Sequence, residues 1–490
     1  MSLLSSLPQI SLFTVVLIPF IGAILIGFAA KSFALQQTLS YLTSLVFFFA
    51  VLGQLGPLLA GDASYQLLWE ILPGLNLALS IEPLGMLFAL LASTLWLVAT
   101  PYAIGYMVHG GYGHLARFFA CYAIALGSAA GIAFSDNLLT MFVFYEILSV
   151  STYPLVAHTG TAKARQGART YLGILLLTSI CFWLPALIWT YMATGTLDFA
   201  AGGILQGHVS PTVAGVLLLL FMFGTGKAAL MPFHRWLPAA MVAPTPVSAL
   251  LHAVAVVKAG VFVVLKLALY VFGLDFLRDI PLSDAVLYVA AFTMLTASLV
   301  AMHQDNLKAR LAYSTVSQLS YIVVGALLAT QLGAIGGGMH MVMHGFGKIT
   351  LFFCAGAIYL ASHKTLVSEL DGLGRKMPVT MTAFLLGALC VIGLPPMGGL
   401  WSKWHLVLGA FEGGYSLILA AFLISTLLNI AYLLPPVLRA FLKPLPAGES
   451  AAIKEAPLMC VVPLSLTALG AVLLFFLAGW PQALMRLVFV

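Results

Sequence analysis

Charged residues are scarce in this sequence. Asp, Glu, Lys and Arg together make up 7% of the 490 residues, whereas soluble globular domains carry about 25%. Hydrophobic residues make up 62% of the chain. These proportions exclude a water-soluble domain and predict a polytopic membrane protein.

Cysteine is also rare, and the five cysteines stand singly within apolar segments. They are Cys121, Cys181, Cys354, Cys390 and Cys460. This scatter argues against a disulfide framework, a zinc site and an iron–sulfur cluster. The segment GTGK (224–227) is not a phosphate-binding loop, because Phe221 and Ala228 occupy the places where that loop needs Gly and Ser or Thr. We therefore expect no cofactor, no metal and no redox centre in this chain.

The apolar runs are long enough to cross a bilayer, since a transmembrane helix needs about 20 residues. They predict an all-α fold with about fourteen spans. The spans are 8–30, 35–60, 83–106, 117–135, 137–158, 170–194, 211–233, 244–272, 284–303, 308–330, 334–361, 379–410, 416–442 and 457–481. The first run lacks a preceding basic region and a small-residue cleavage site, which favours a retained span over a signal peptide.

Basic residues are distributed unevenly over the loops. Loops that follow odd-numbered spans hold Lys31, Arg117, Lys163, Arg165, Arg169, Arg235, Lys308, Arg310, Lys364, Arg375, Lys376, Arg439, Lys443 and Lys454. Loops that follow even-numbered spans hold only Arg278. By the positive-inside rule, odd-numbered loops are cytoplasmic and both termini lie on the other side of a cell inner membrane. The net charge of +6 thus reflects topology, and no nucleic-acid partner is implied.

Apart from the charged residues in loops and at span ends that the topology explains, six charged residues fall inside the predicted spans. They are Glu146, Lys227, Lys258, Lys266, Lys348 and Lys403. A charge at the bilayer centre costs about 2.5 to 3.5 kcal/mol, so such residues usually face a polar interior and mark ion or proton paths. The alternatives are snorkelling to the interface and a structural ion pair. Snorkelling is preferred for Lys266, near the outer end of its span. Glu146 follows Asp136 by ten residues, which places it roughly 15 Å into the membrane.

Histidines join the lysines in two spans. His340, His344 and Lys348 are spaced i, i+4, i+8 and line one helix face. His252 precedes Lys258 by six residues. Imidazole titrates near neutral pH, so a row of His and Lys can pass protons. A single His could instead make an interhelical hydrogen bond, and the HxxxH spacing could hold a metal, but no Asp or Glu lies near enough in sequence to complete that site.

Two spans are interrupted by Pro and Gly. Pro232 follows Lys227, and CVIGLPPMGGLWSKWHLV (390–407) carries Lys403. The interruptions lie five spans apart, which predicts an inverted repeat with the ion path at the broken helices 7 and 12. The predicted units are helices 1–3 (1–116), a first five-helix repeat of helices 4–8 (117–272), a second of helices 9–13 (284–442), and a C-terminal loop with helix 14 (443–490).

Two long segments carry a family resemblance. WLPAAMVAPTPVSALLHAVAVVKAGVF (236–262) and DNLKARLAYSTVSQLSYI (305–322) closely resemble the antiporter-like subunits shared by respiratory complex I, Mrp-type cation/proton antiporters and membrane-bound hydrogenases. The resemblance runs from about the third span to the thirteenth. It implies that Glu146 on span 5 pairs with Lys227 on broken span 7 and adjusts the proton affinity of that lysine.

The same resemblance implies a central hydrated axis on spans 8 and 11. Its members would be His252, Lys258, His340, His344 and Lys348. On broken span 12, Lys403 would be the group that takes up or releases protons at one side.

The branch of this family is predicted from length and one segment. The chain stops about nine residues after its last span, whereas the largest family subunit continues into a lateral helix. The segment GLPPMGGLWSK (393–403) looks most like the D subunit of Mrp antiporters. We expect a transporter subunit that works with other membrane subunits and moves protons, with sodium or another monovalent cation as the exchanged ion.

Other functions stay open at this point. They are a proton-pumping membrane-arm subunit of an NADH-quinone oxidoreductase or hydrogenase complex, a subunit for inorganic carbon uptake, an inactive scaffold, and an independent secondary transporter. In a redox complex, the chain would be a translocase without a redox centre.

Overall fold

The computed structural model describes residues 10–61, 64–72, 74–445 and 453–490. Each of the fourteen predicted spans coincides with one helix or a series of helical segments in these ranges. Within the described residues, nine helices are long and apolar enough to cross a membrane, and three shorter apolar helices accompany them. The prediction of an all-α polytopic membrane protein with broken spans 7 and 12 is confirmed.

The first six spans are helical throughout. They are Leu12–Phe28, Phe33–Gly53 with Leu55–Ala60, Pro83–His109, Leu115–Ala133, Leu138–Val156, and Ala162–Thr178 with Ser179–Trp183 and Leu184–Thr194. The segment Ser179–Trp183 is a π-helical turn inside span 6.

Spans 7 and 8 consist of short segments. Span 7 comprises Pro211–Gly224, the 3₁₀ turn Gly226–Ala228, Trp236–Ala239 and the 3₁₀ turn Ala240–Val242. Span 8 comprises Thr245–Ala249, the π turn Leu250–Val254, Val256–Lys266 and the π turn Leu267–Phe272. Such π turns occur often at functional sites.

The last six spans include the second break. They are Pro281–His303, Leu307–Leu327, Gln331–Ser362, Pro378–Ile392 with Gly399–Glu412, Ser416–Leu442 and Leu458–Phe476. Short segments also follow spans 8, 11 and 14: Leu274–Arg278, the 3₁₀ turns Val367–Glu369 and Leu373–Arg375, and the terminal Gly479–Arg486 with Leu487–Phe489.

Burial separates inner spans from outer ones. In span 11, 94% of the most apolar stretch is buried, which places this helix in the centre of the bundle. The corresponding fractions are 33% in span 6 and 39% in span 13, so these helices expose apolar side chains as lipid-facing or partner-facing helices do.

A β-hairpin between spans 2 and 3 lies outside the prediction. Strand β1 (Tyr65–Leu72) pairs antiparallel with strand β2 (Leu75–Ser80). The hairpin is attached to the ends of spans 4 and 5, because Ala78 N donates to Thr140 Oγ1 and Ser80 N donates to Phe134 O. The loops after spans 2 and 4 therefore lie on the same face of the bundle.

Candidate functional site

The break in span 7 buries Lys227 against span 5. Its Nζ donates to the carbonyl oxygen of Tyr145 at 2.9 Å and to Ser149 Oγ at 2.6 Å. The same Nζ lies 3.0 Å from the centroid of the Tyr145 ring. Two acceptors and an aromatic face thus stabilise the ammonium in a fully buried position.

Gly260 brings span 8 against this break. A Cβ at this position would lie 2.7 Å from the Lys227 carbonyl oxygen and would also overlap Ala228 N. Only a residue without a side chain allows such close approach of two backbones. Helix Val256–Lys266, which carries Lys258, is therefore in direct contact with the broken segment.

Glu146 lies next to Tyr145 on span 5. Among the ion pairs of the described residues, none joins Glu146 to Lys227 within 4 Å. Glu146 Oε1 is buried and accepts no hydrogen bond. Val143 and Val150, on the same helix face, are 36% and 56% exposed, so the glutamate sits at the outer edge of the chain. The ion pair between Glu146 and Lys227 that the resemblance implies is therefore not formed within 4 Å in this structure.

A continuous contact series joins spans 8, 11 and 12. Lys258 Nζ and His344 Nδ1 are 2.6 Å apart, and the ring centroids of His344 and His340 are 5.7 Å apart. His340 Nδ1 lies 2.9 Å from Ser402 Oγ, and its Nε2 lies 3.1 Å from Gln318 Oε1. The structure thus brings together three predicted site residues from spans 8 and 11.

Lys403 occupies the break in span 12. Its Nζ donates to the carbonyl oxygen of Ile392 at 3.0 Å, where the first half of the span ends. Gly393 follows with φ +88°, a conformation that favours glycine. A cation is stabilised at a helix C-terminus, because the last carbonyls have no partner within the helix. The Tyr321 ring links this site to the series, lying 4.6 Å from Lys403 Nζ and 5.5 Å from the His340 ring.

Lys348 is held on span 11 by span 10. Its Nζ donates to the Leu311 carbonyl oxygen at 3.1 Å and to Ser314 Oγ at 2.6 Å. Ser314 Oγ in turn lies 2.9 Å from the hydroxyl of Tyr432 on span 13. A backbone carbonyl and a serine hydroxyl therefore hold Lys348, as they hold Lys227.

The neutral partners of these lysines were not predicted. They are Tyr145, Ser149, Ser314 and Tyr321. The partners of His340, which are Gln318 and Ser402, were not predicted either. The polar run STVSQLS (314–320) inside an apolar span is a signal that could have found part of this set. The side chain of His252, another predicted site residue, lies outside the described residues.

The prediction that Lys266 snorkels to the interface is wrong. This side chain is 1% exposed, and its Nζ lies 2.7 Å from Glu82 Oε1. It also donates to the carbonyl oxygen of Ser135 at 2.7 Å. The beginning of span 3 and the end of span 4 cover the lysine, so it finds an anion inside the bundle instead of extending to the surface.

This chain is similar in sequence to membrane subunits of known complexes. The family model described as NADH:quinone oxidoreductase/Mrp antiporter, transmembrane, matches residues 135–429. NADH-quinone oxidoreductase subunit N of Desulforudis audaxviator (strain MP104C) is 32% identical over 416 residues, which cover 82% of each chain. NAD(P)H-quinone oxidoreductase chain 5 of Synechocystis sp. is 30% identical over 426 residues, which cover 81% of this chain and 61% of that protein.

A solved structure shares the architecture. The Mrp complex from Dietzia sp. DQ12-45-1b contains a chain that superposes with a TM-score of 0.85 at 21% sequence identity. The superposition covers 100% of this chain and 97% of that chain. At this identity the likeness establishes the fold.

Proposed function

Since this chain belongs to the NADH:quinone oxidoreductase/Mrp antiporter transmembrane family, we propose that it is a proton-translocating, antiporter-like subunit of a multisubunit membrane complex. One observation carries the proposal: buried ionisable groups follow one another across the middle of the bundle. They are Lys227, Lys258, His344, His340 and Lys403, with Lys348 beside them. Because each buried charge is costly in a bilayer, an apolar bundle would be more stable without them.

The contacts support a stepwise transfer. Lys258 and His344 share a short hydrogen bond, so a proton on the amine can pass to the imidazole. His340 is the next imidazole on the same helix face. From there Ser402 and Gln318 lead toward Lys403 on the broken span. Water trapped along the broken backbone would complete the connections.

Glu146 would act as the switch. When its carboxylate is near Lys227, Coulomb attraction favours the ammonium form. When the carboxylate turns toward a neighbouring subunit, burial favours the neutral amine, and the proton moves on to the axis. The open arrangement and the position of Glu146 at the outer edge of span 5 support this assignment.

For the coupled ion, we propose monovalent cation/proton antiport of the Mrp type, supported by GLPPMGGLWSK (393–403). The second candidate is a membrane-arm subunit of an NADH-quinone oxidoreductase, supported by the identity to subunit N. The subunits that co-purify discriminate the two. Redox partners and quinone-dependent flux would overturn the antiport assignment, and cation-dependent flux without them would support it.

For the orientation, we propose cytoplasmic odd-numbered loops and both termini on the opposite side of a prokaryotic cytoplasmic membrane. The Lys and Arg content of the odd-numbered loops supports this topology. An impermeant amine reagent should reach the exposed Lys163 only from the cytoplasmic side. Labelling from the opposite side would reverse the topology.

The test of proton translocation uses Lys227→Ala and Glu146→Gln in the assembled complex. We expect both variants to assemble and to lose most of the flux measured with a pH-sensitive dye in vesicles, because each removes one half of the switch. Lys163→Ala removes an exposed lysine and is the matched control. Wild-type flux in both site variants, at wild-type levels of assembly, would overturn the proposal.

A further inference from the structure

Lys266 lies on the same helix as Lys258 but is not in the contact series of the axis. The two lysines are eight positions apart, which is about 12 Å along the helix toward the face of the even-numbered loops. Glu82 supplies its counter-charge, and Asp136 lies close enough to interact electrostatically with Lys266, Glu82 and Asp198. A second buried charged group thus stands near the end of span 8.

Glu82 gives this buried pair an outlet to solvent. Its side chain is 15% exposed, whereas Lys266 is 1% exposed. The hydroxyl of Tyr270 faces the Glu82 carboxylate. Tyr270 also lines a cavity of about 470 Å³ whose walls include Asp275, Arg278, Gln331 and Glu412. A polar route therefore runs from Lys266 through Glu82 to the surface.

Aromatic rings close the other side of the pair. Phe262 lies one turn from Lys258 and one turn from Lys266, and its ring centroid is 5.6 Å from Lys266 Nζ. The ring packs on that of Phe88 at 5.0 Å. The residues between the two lysines are all apolar or glycine (AGVFVVL, 259–265). No polar side chain of this helix bridges the lysines, and Phe262, which Phe88 packs against, lies between them on the same helix face.

We propose that Lys266 and Glu82 form a second terminal proton-transfer site of the axis, gated by Phe262 and Phe88. The inference rests on the proposed proton translocation. The N–H bond of the Lys266 ammonium breaks as an O–H bond forms on Glu82, which leaves a neutral amine and a carboxylic acid. The acid then releases its proton to solvent water. When the Phe262 ring moves, water enters between the two lysines, and the neutral Lys266 amine takes a proton from the Lys258 side.

The alternative is a structural ion pair that fastens span 8 to span 3. The two roles differ in their response to opening the gate. Phe262→Ala should raise the passive proton conductance of vesicles that contain the complex, and Phe262→Leu should raise it less. Adding Lys266→Met to Phe262→Ala should return the conductance to the wild-type level, because the carrier of the proton is gone. A structural pair predicts no such reversal.

The coupled flux gives a second readout. Glu82→Gln keeps the shape of the side chain but cannot titrate, and we expect it to lower the flux roughly tenfold or more at normal assembly. Glu82→Asp should restore part of the loss. Asp371→Asn is the matched control, because it removes an ion pair of 2.7 Å between Asp371, in the loop after span 11, and Arg439 on span 13. That variant should keep wild-type flux.

Lys227→Ala, measured in parallel, separates this inference from the proposed function. The second terminal site alone would be overturned by one set of results. In that set Lys227→Ala loses flux, Glu82→Gln keeps wild-type flux, and Phe262→Ala keeps wild-type conductance. Wild-type flux in Lys227→Ala and in Glu82→Gln would overturn both.

Discussion

Gly260 gives the sharpest test of the contact between spans 7 and 8. In Gly260→Ala the new Cβ would lie 2.7 Å from the Lys227 carbonyl oxygen, whereas an ordinary contact needs about 3.5 Å. The helix and the broken segment must therefore separate by at least about 0.8 Å. Because backbone atoms form the contact, no side chain can rotate to relieve it. Overpacking of this kind costs about 1 to 3 kcal/mol.

The displacement matters because the hydrogen bonds of Lys227 Nζ would break if their donor–acceptor distances grew by this amount. If the Lys227 segment took up the whole shift along its 2.9 Å bond to the Tyr145 carbonyl oxygen, that distance would reach about 3.7 Å, beyond hydrogen-bonding range. We expect the variant to assemble and to lose roughly five- to 150-fold in proton flux, the factor to which 1 to 3 kcal/mol in a transfer barrier corresponds.

The assay compares flux per assembled complex, with the amount of complex measured on native gels. Gly173→Ala is the matched control, since that helical glycine on span 6 has open space where a Cβ would be placed. Equal flux in Gly260→Ala and wild type would refute the claim that close backbone contact aligns the two spans.

Two further predictions concern single hydrogen-bonding groups. Ser149→Ala removes one acceptor of the buried Lys227 ammonium, and a hydrogen bond to a charged group is worth about 1.5 to 3 kcal/mol. Proton flux should therefore fall about tenfold or more. The control Ser128→Ala, which removes a hydroxyl that donates within its own helix, should keep wild-type flux. In the loop after span 9, hydrogen bonds from the Ser368 hydroxyl and amide lower the pKa of Asp305 below its ordinary 3.8. A lowered folded-state pKa contributes stability above the unfolded pKa, and this contribution is lost as pH falls through the folded pKa. Thermal unfolding should therefore show Asp305→Asn below wild type at pH 7, with the difference shrinking as the pH falls below the ordinary value of 3.8. A difference that does not depend on pH would contradict the assignment.

The spans could be predicted because a bilayer leaves the chain few choices. Without water, backbone groups must bond within each segment, so every long apolar run becomes a helix. The breaks in spans 7 and 12 could also be predicted, since Pro232 and the Gly/Pro cluster before Lys403 cannot continue a regular helix. The repeat boundaries that follow from these breaks stay a prediction.

What the sequence did not reveal depends on tertiary contact. The position of Lys266 near a span end favoured snorkelling, and only the packing of spans 3 and 4 around it shows that Glu82 is its partner. The hairpin was missed because the strand YQLLWEIL (65–72) does not alternate strictly between polar and apolar residues. Serine and tyrosine partners were missed because one such residue in a span has no distinctive pattern.

The two broken spans have related surroundings. Lys227 lies over the ring of Tyr145 from span 5, and Lys403 lies over the ring of Tyr321 from span 10. Spans 5 and 10 are five apart, as spans 7 and 12 are. The same pairing of a lysine with a tyrosine therefore recurs at the interval predicted for the inverted repeat, which supports that repeat with an observation independent of the Pro and Gly pattern.

Similar surroundings also bear on how one carboxylate could control the axis. Lys227 and Lys348 share part of their surroundings, since each is held by one carbonyl oxygen and by one serine hydroxyl at 2.6 Å, and Lys227 also lies over the Tyr145 ring. A proton distributed between sites of similar free energy needs only a modest bias to move. Two unit charges 4 Å apart interact by about 4 kcal/mol at an effective dielectric constant of 20. In the proposed switch, movement of the Glu146 carboxylate to or from such a distance would be large enough to decide which site holds the proton.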